Sequence, residues 1–89
     1  MDNKSDNIQQ TEAEILREIL EVATDNSYLK IEAPETYQEK VIQDMVSLVK
    51  MAKKDPAILD FYHRAGIEPT EALNALLQKA VNTIFEVQK

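Results

Sequence analysis

The stretch that decides the fold is PTEALNALLQKAVNTIFEV, which runs from Pro69 to Val87. Its apolar residues recur every three or four positions, which is the repeat of one helix face and differs from the alternation of a strand. Pro69 suits the first turn of a helix, because a proline there loses no hydrogen bond. The stretch therefore predicts an amphipathic helix over residues 69–87 and, with it, an all-α fold.

The residues just before this helix predict a shorter helix with a capping residue at each end. The carboxylate of Asp55 can accept from the free amides of a first turn, and Pro56 fits the first helical position. Gly66, the only glycine, stands where a left-handed residue commonly ends a helix. We predict a helix over residues 56–65 that turns sharply into the last one.

Two further apolar stripes precede Asp55. The segment 11–14 has the form of a capping box, and the stripe behind it predicts a helix over residues 12–24. A second stripe begins at Tyr37 and predicts a helix over residues 36–54. Residues 28–33 alternate between apolar and polar, and we interpret them as an extended link.

The predicted architecture is a small four-helix bundle, possibly dimeric, with short connections. It forms a single helical domain over residues 11–89, after a disordered N-terminal tail over residues 1–10. The predicted core consists of Ile15, Leu16, Ile19, Leu20, Val41, Met45, Leu48, Leu59, Tyr62, Leu73, Leu76, Leu77, Ala80 and Ile84.

Length and composition restrict the function. A chain of 89 residues holds one domain, and 44% hydrophobic residues suffice for a core. The chain has no cysteine, one histidine and one glycine, so it lacks disulfides, thiolate metal sites and glycine-rich phosphate loops. We expect a non-enzymatic protein without cofactor or metal. Because we find neither a membrane-length apolar run nor a signal peptide, we expect a cytoplasmic location and no membrane partner.

The acidic charge is confined to one part of the sequence. The net charge is −6, and residues 1–35 carry three basic and nine acidic side chains. Glu12, Glu14, Glu18 and Glu21 form the polar side of the first predicted helix. Two interpretations stay open: a solvated helix face, or a functional surface that either mimics nucleic acid or contacts another protein with a basic surface.

Two other groups of polar residues are candidates for chemistry. His63 is the single histidine, and Asp60 three residues earlier can hydrogen-bond it, but such a pair is also ordinary on a helix surface. A basic cluster, Lys50, Lys53 and Lys54, lies where cations complement the negative end of a helix dipole.

The last helix also predicts self-association. Its apolar arc is wider than the roughly 100° that one intramolecular core contact needs, and two-fold pairing is the commonest form of oligomer. The candidate dimer or partner surface is Leu73, Leu77, Val81 and Phe85. The alternative is that the other helices of the same chain cover this arc completely.

Residues 55–81 resemble the helix-turn-helix half of ribbon-helix-helix proteins, in particular BrnA-type antitoxins. The matching positions are Asp55, Leu59, Phe61 or Tyr62, Gly66 and Asn74, without a gap. The resemblance implies a dimer in which one strand from each chain enters the major groove of DNA. That strand would precede Asp55, over residues 49–54, where the sequence also continues the helical stripe.

These observations support two functions. The first is a non-catalytic protein-interaction or assembly module that acts as a small helical dimer. The alternative is a dimeric ribbon-helix-helix DNA-binding regulator of transcription or antitoxin, in which Lys50, Lys53 and Lys54 contact nucleic acid.

Overall fold

The computed structural model describes residues 4–85, with side chains from residue 10 onward. It contains five helices: α1 (Lys4–Asp25), α2 (Leu29–Glu32), α3 (Pro34–Ala52), α4 (Pro56–Ala65) and α5 (Pro69–Phe85). Residues 4–85 contain no strand. The predicted all-α class is therefore confirmed.

The helix boundaries follow the predictions most closely where local capping determines them. Helix α4 has the predicted bounds, because Asp55 accepts from the amide of Ala57 at 2.9 Å and Gly66 adopts a left-handed φ of 72°. The amide of Ile67 then donates to the Tyr62 carbonyl at 2.9 Å, which closes the turn. Helix α5 begins at Pro69 as predicted, and its predicted last residues, 86–87, lie outside the described residues.

Two other boundaries differ from the predictions. Helix α1 begins at Lys4 instead of residue 12 and so extends into the segment that we assigned to a disordered tail. Residues 1–3 of that segment lie outside the described residues. Helix α3 begins two residues earlier than predicted, at Pro34, and ends at Ala52.

The predicted extended link over residues 28–33 is wrong. This segment forms the one-turn helix α2, in which the Ala33 amide donates to the Leu29 carbonyl at 2.9 Å. An isolated strand would have no neighbour for its backbone groups, whereas a helical turn pairs them locally. Alternation over six residues was too short a signal to outweigh this requirement.

The core forms where α1, α3 and α5 pack on one another. Its buried members are Ile19, Ala23, Val41, Met45, Val49, Tyr62, Leu73, Leu76 and Ala80. The core prediction was right for seven of these and missed Ala23 and Val49. Leu59, which we also predicted, is half-buried and lies outside the core cluster.

The resemblance to ribbon-helix-helix proteins is not a guide to this fold. Residues 49–52 complete α3 and residues 53–54 form a turn, so the segment that would have to be a strand is helical. The cause is the apolar spacing: Met45 and Val49 are buried while Ser47 between them is exposed, whereas in a strand all three would share one face. The matching residues around Asp55 and Gly66 are capping residues that any tight helix pair can use.

The difference between Leu76 and Leu59 gives a stability prediction. Leu76→Ala should lower the free energy of unfolding by about 2–5 kcal/mol, because a buried leucine is removed and a cavity remains. Leu59→Ala should cost about 1 kcal/mol or less, because its side chain is half-exposed. Urea unfolding of both variants measures the two costs, and equal losses would contradict the assigned core.

Candidate functional site

An apolar depression of the surface lies between α1, the end of α3 and the start of α4. We call it the α1–α3–α4 groove; its volume is about 190 Å³. Its apolar lining comes from Ile15 and Ile19 of α1, Leu48, Met51 and Ala52 of α3, and Ile58 of α4. This groove was not predicted from the sequence.

The groove exists because α4 is short and packs mainly against α5. At about 1.5 Å per residue, the ten residues of α4 span about 15 Å, against about 33 Å for the 22 residues of α1. A gap therefore remains between α4 and the pair formed by α1 and α3. Met51 stands at this gap with 65% of its surface exposed.

Two carboxylates, Glu18 of α1 and Asp55 at the start of α4, belong to the groove lining. Glu18 continues into an exposed acidic face of α1 formed by Glu14, Glu18, Glu21 and Asp25. These residues are three or four positions apart, so they share one side of the helix. The acidic face predicted on α1 is thus present, with Asp25 added to it and Glu12 removed.

Glu12 faces the interior instead. Its carboxylate accepts a hydrogen bond of 2.7 Å from the hydroxyl of Tyr62, which joins α1 to α4 across 50 residues of sequence. Tyr62 is fully buried, and its ring meets Phe61 edge to face at 5.2 Å. Burial, followed by the hydrogen bond to Glu12 and the charge of Glu12, raises the pKa of the Tyr62 phenol far above its usual range.

Asn26 provides a second polar link between helices. Among the described residues that are buried, it is the one with an amide or charged side chain. Its amide donates to the Val22 carbonyl at 2.9 Å and to a carboxylate oxygen of Asp44 at 3.2 Å. These bonds close the end of α1 and fix it against α3.

The fold leaves only part of the predicted dimer surface accessible to a partner. Leu73 is fully buried between the helices of the chain and is therefore unavailable to a partner. Leu77, Val81 and Phe85 are half-buried, and Phe85 meets Tyr37 edge to face at 5.9 Å. Helices α1 and α3 thus cover much of the arc for which we expected a second chain.

The three lysines lie at the end of α3. Lys50 and Lys54 are exposed and Lys53 is half-buried. None of Lys50, Lys53 and Lys54 is among the residues that line the groove. No strand carries them, which removes the DNA contact that the ribbon-helix-helix resemblance implied.

His63 lies on the exposed face of α4, outside the groove. The hydrogen bond with Asp60 that the sequence suggested does not form. Asp60 pairs instead with Arg64 at 2.9 Å on the same exposed surface. The described side chains include no group of three or more His, Cys, Asp or Glu residues arranged to hold a metal ion.

No family model matches the chain, and neither the curated proteins nor the solved structures contain a match. Among the described residues, no helix combines the length and the apolar character that crossing a bilayer requires.

The link between Tyr62 and Glu12 predicts an alkaline loss of stability. Because the folded-state pKa of Tyr62 lies above the unfolded value of about 10, its contribution is complete below pH 10 and is lost as the pH rises further. The free energy of unfolding should therefore fall by up to about 1.4 kcal/mol per pH unit above pH 10.

Two variants separate this effect from the titration of other groups. Tyr62→Phe should lower stability at pH 7 by about 1 kcal/mol, since Glu12 loses its donor, and should flatten the alkaline slope. Tyr28→Phe removes a tyrosine that is 53% exposed and should leave the slope unchanged. Urea unfolding from pH 7 to pH 11 tests both, and identical slopes in the two variants would contradict the role of Tyr62.

Proposed function

We propose that the protein is a non-catalytic protein-interaction module whose binding surface is the α1–α3–α4 groove. The observation that carries this proposal is an open apolar concavity with the exposed side chain of Met51 at its edge. Concave apolar surfaces with a few polar groups at the rim are typical binding sites.

The residues of the groove favour binding over catalysis. Among the described residues that line it, two are carboxylates and none is a histidine, cysteine, serine or lysine. One of the two, Asp55, already caps α4 through the Ala57 amide. The lining therefore supplies shape and charge, and lacks a nucleophile paired with a base.

Self-association through α5 belongs to the same proposal, with a smaller surface than the sequence predicted. Leu77, Val81 and Phe85 follow one another at steps of four along α5 and remain partly exposed. The same surface on two chains can pair around a two-fold axis. We propose that this stripe, without Leu73, forms a dimer contact separate from the groove.

Site-specific photocrosslinking in the native cell tests the groove. A photoreactive amino acid at Met51 should yield a discrete covalent adduct, whereas the same residue at Ile31 should not. Ile31 is a matched control because it is 87% exposed and lies on α2, outside the groove. A complete lack of adducts at Met51, or equal adducts at both positions, would rule out the groove as the binding surface.

Sedimentation equilibrium at low micromolar concentration tests the dimer. We expect a species of about twice the 10.2 kDa chain mass, which Val81→Glu should dissociate without loss of helical circular dichroism. Thr83→Glu, on the exposed side of α5, is the control that should leave the dimer intact. A single species at the chain mass for the unmodified protein would exclude self-association.

A further inference from the structure

We infer that the partner of the α1–α3–α4 groove is an amphipathic helix of another protein, with basic residues flanking its apolar face. This inference rests on the proposed function and specifies the chemistry of the partner. It follows from three properties of the groove: the shape of the gap, its size and the sign of the charge around it.

The shape favours a helix. The walls of the groove are themselves helices, and a helix fits between such walls by placing its side chains between theirs. The short α4 fills only part of the space that a longer fourth helix would fill beside α1, α3 and α5. A partner helix in the remaining space would continue the packing of the bundle. Its own apolar side chains, three and four residues apart, would enter the groove.

The size favours one large apolar anchor. An apolar cavity of about 150 Å³ accommodates a benzene molecule, and the groove measures about 190 Å³. A leucine or phenylalanine side chain therefore fits. It would contact Ile15, Ile58 and Met51, and would remove the exposed surface of Met51 from water.

The charge favours a basic flank. Glu18 and Asp55 lie at the groove, and Glu14 and Glu21 extend the same negative face along α1. The nearest basic cluster, Lys50, Lys53 and Lys54, contributes no side chain to the lining of the groove. Lysine or arginine residues beside the apolar anchor would meet carboxylates, whereas acidic residues would meet like charge.

The α5 stripe of a second copy does not supply such a helix. Beside the α5 stripe of Leu77, Val81 and Phe85, the exposed neighbours Asn74, Gln78 and Asn82 are uncharged. A copy docked by this stripe would bring one lysine, Lys79. The groove and the α5 stripe are therefore distinct surfaces with different partners.

Two labelled synthetic peptides of about 14 residues, or four helical turns, test the inference. Both carry leucine at helical spacing; the first has lysine on its flanks and the second has glutamate. Fluorescence anisotropy at about 0.15 M salt, where long-range attraction is screened, should show binding of the lysine peptide at least tenfold tighter than binding of the glutamate peptide.

Matched variants of the full chain establish whether the groove is responsible. Glu18→Lys should weaken binding of the lysine peptide by about tenfold, as expected for loss of one close charge contact. Glu39→Lys makes the same change of charge on α3, about 13 Å from the groove residue Leu48 along the helix axis. It should weaken binding by less than about twofold. Met51→Gln should weaken binding, whereas Ile31→Gln, which removes an even more exposed apolar residue from α2, should not.

The outcomes separate the inference from the proposed function. If Glu18→Lys and Glu39→Lys lose equal affinity for the lysine peptide, or if Met51→Gln loses none, the attraction is non-specific and the inference is overturned. Preference for the glutamate peptide also overturns it. If Met51 nevertheless gives a crosslinked adduct in the cell, the proposed function stands with a partner of different chemistry; without that adduct, both proposals are wrong.

Discussion

The burial of Tyr62 is the contact on which the position of α4 depends. It is the one residue of α4 that reaches full burial, and its hydroxyl group is bonded to Glu12 of α1. The phenol satisfies two requirements at once, because its ring fills the core and its polar end finds an acceptor at the edge. Since α4 forms one wall of the α1–α3–α4 groove, this contact also determines the width of the groove.

The distribution of charge follows from which helix faces are left outside the core. Once Ile19 and Ala23 face inward, the acidic residues that follow Glu12 on α1 lie together on the outer side. On α3 the burial of Met45 and Val49 turns Lys50 outward on another side. The net charge of −6 is thus distributed unevenly over the molecule. Among the described residues, an acidic side of α1 adjoins an apolar concavity that no lysine lines.

The sequence was sufficient for features that depend on neighbouring residues. Helix α4 was predicted with its bounds because Asp55 and Gly66 cap it through residues only a few positions away in the sequence. The all-α class followed from the periodicity of the apolar residues. Features that depend on distant residues were not predictable in this way. Nothing near Glu12 indicates that residue 62 supplies its partner, and the wide arc of α5 did not reveal that α1 and α3 would bury Leu73.

The groove is the clearest example of this limit. It is the space left where a short helix packs on α5, so it depends on the lengths and directions of three helices and on no motif. The one signal in the sequence was the contrast between ten residues of α4 and the much longer stripes around it. Periodicity also placed Leu59 in the core, because it identifies an apolar face but does not say what covers each position on that face.

The link between Tyr62 and Glu12 also has a consequence for the order of folding. Contacts within one helix are local and form quickly, whereas a contact across 50 residues requires closure of a long loop. Helices α4 and α5 are neighbours in sequence and contact each other directly, whereas the packing of α1 on α5 closes a loop at least as long as that between Glu12 and Tyr62. We therefore expect the hydrogen bond between Tyr62 and Glu12 to form together with the docking of α1, after α4 and α5 have paired.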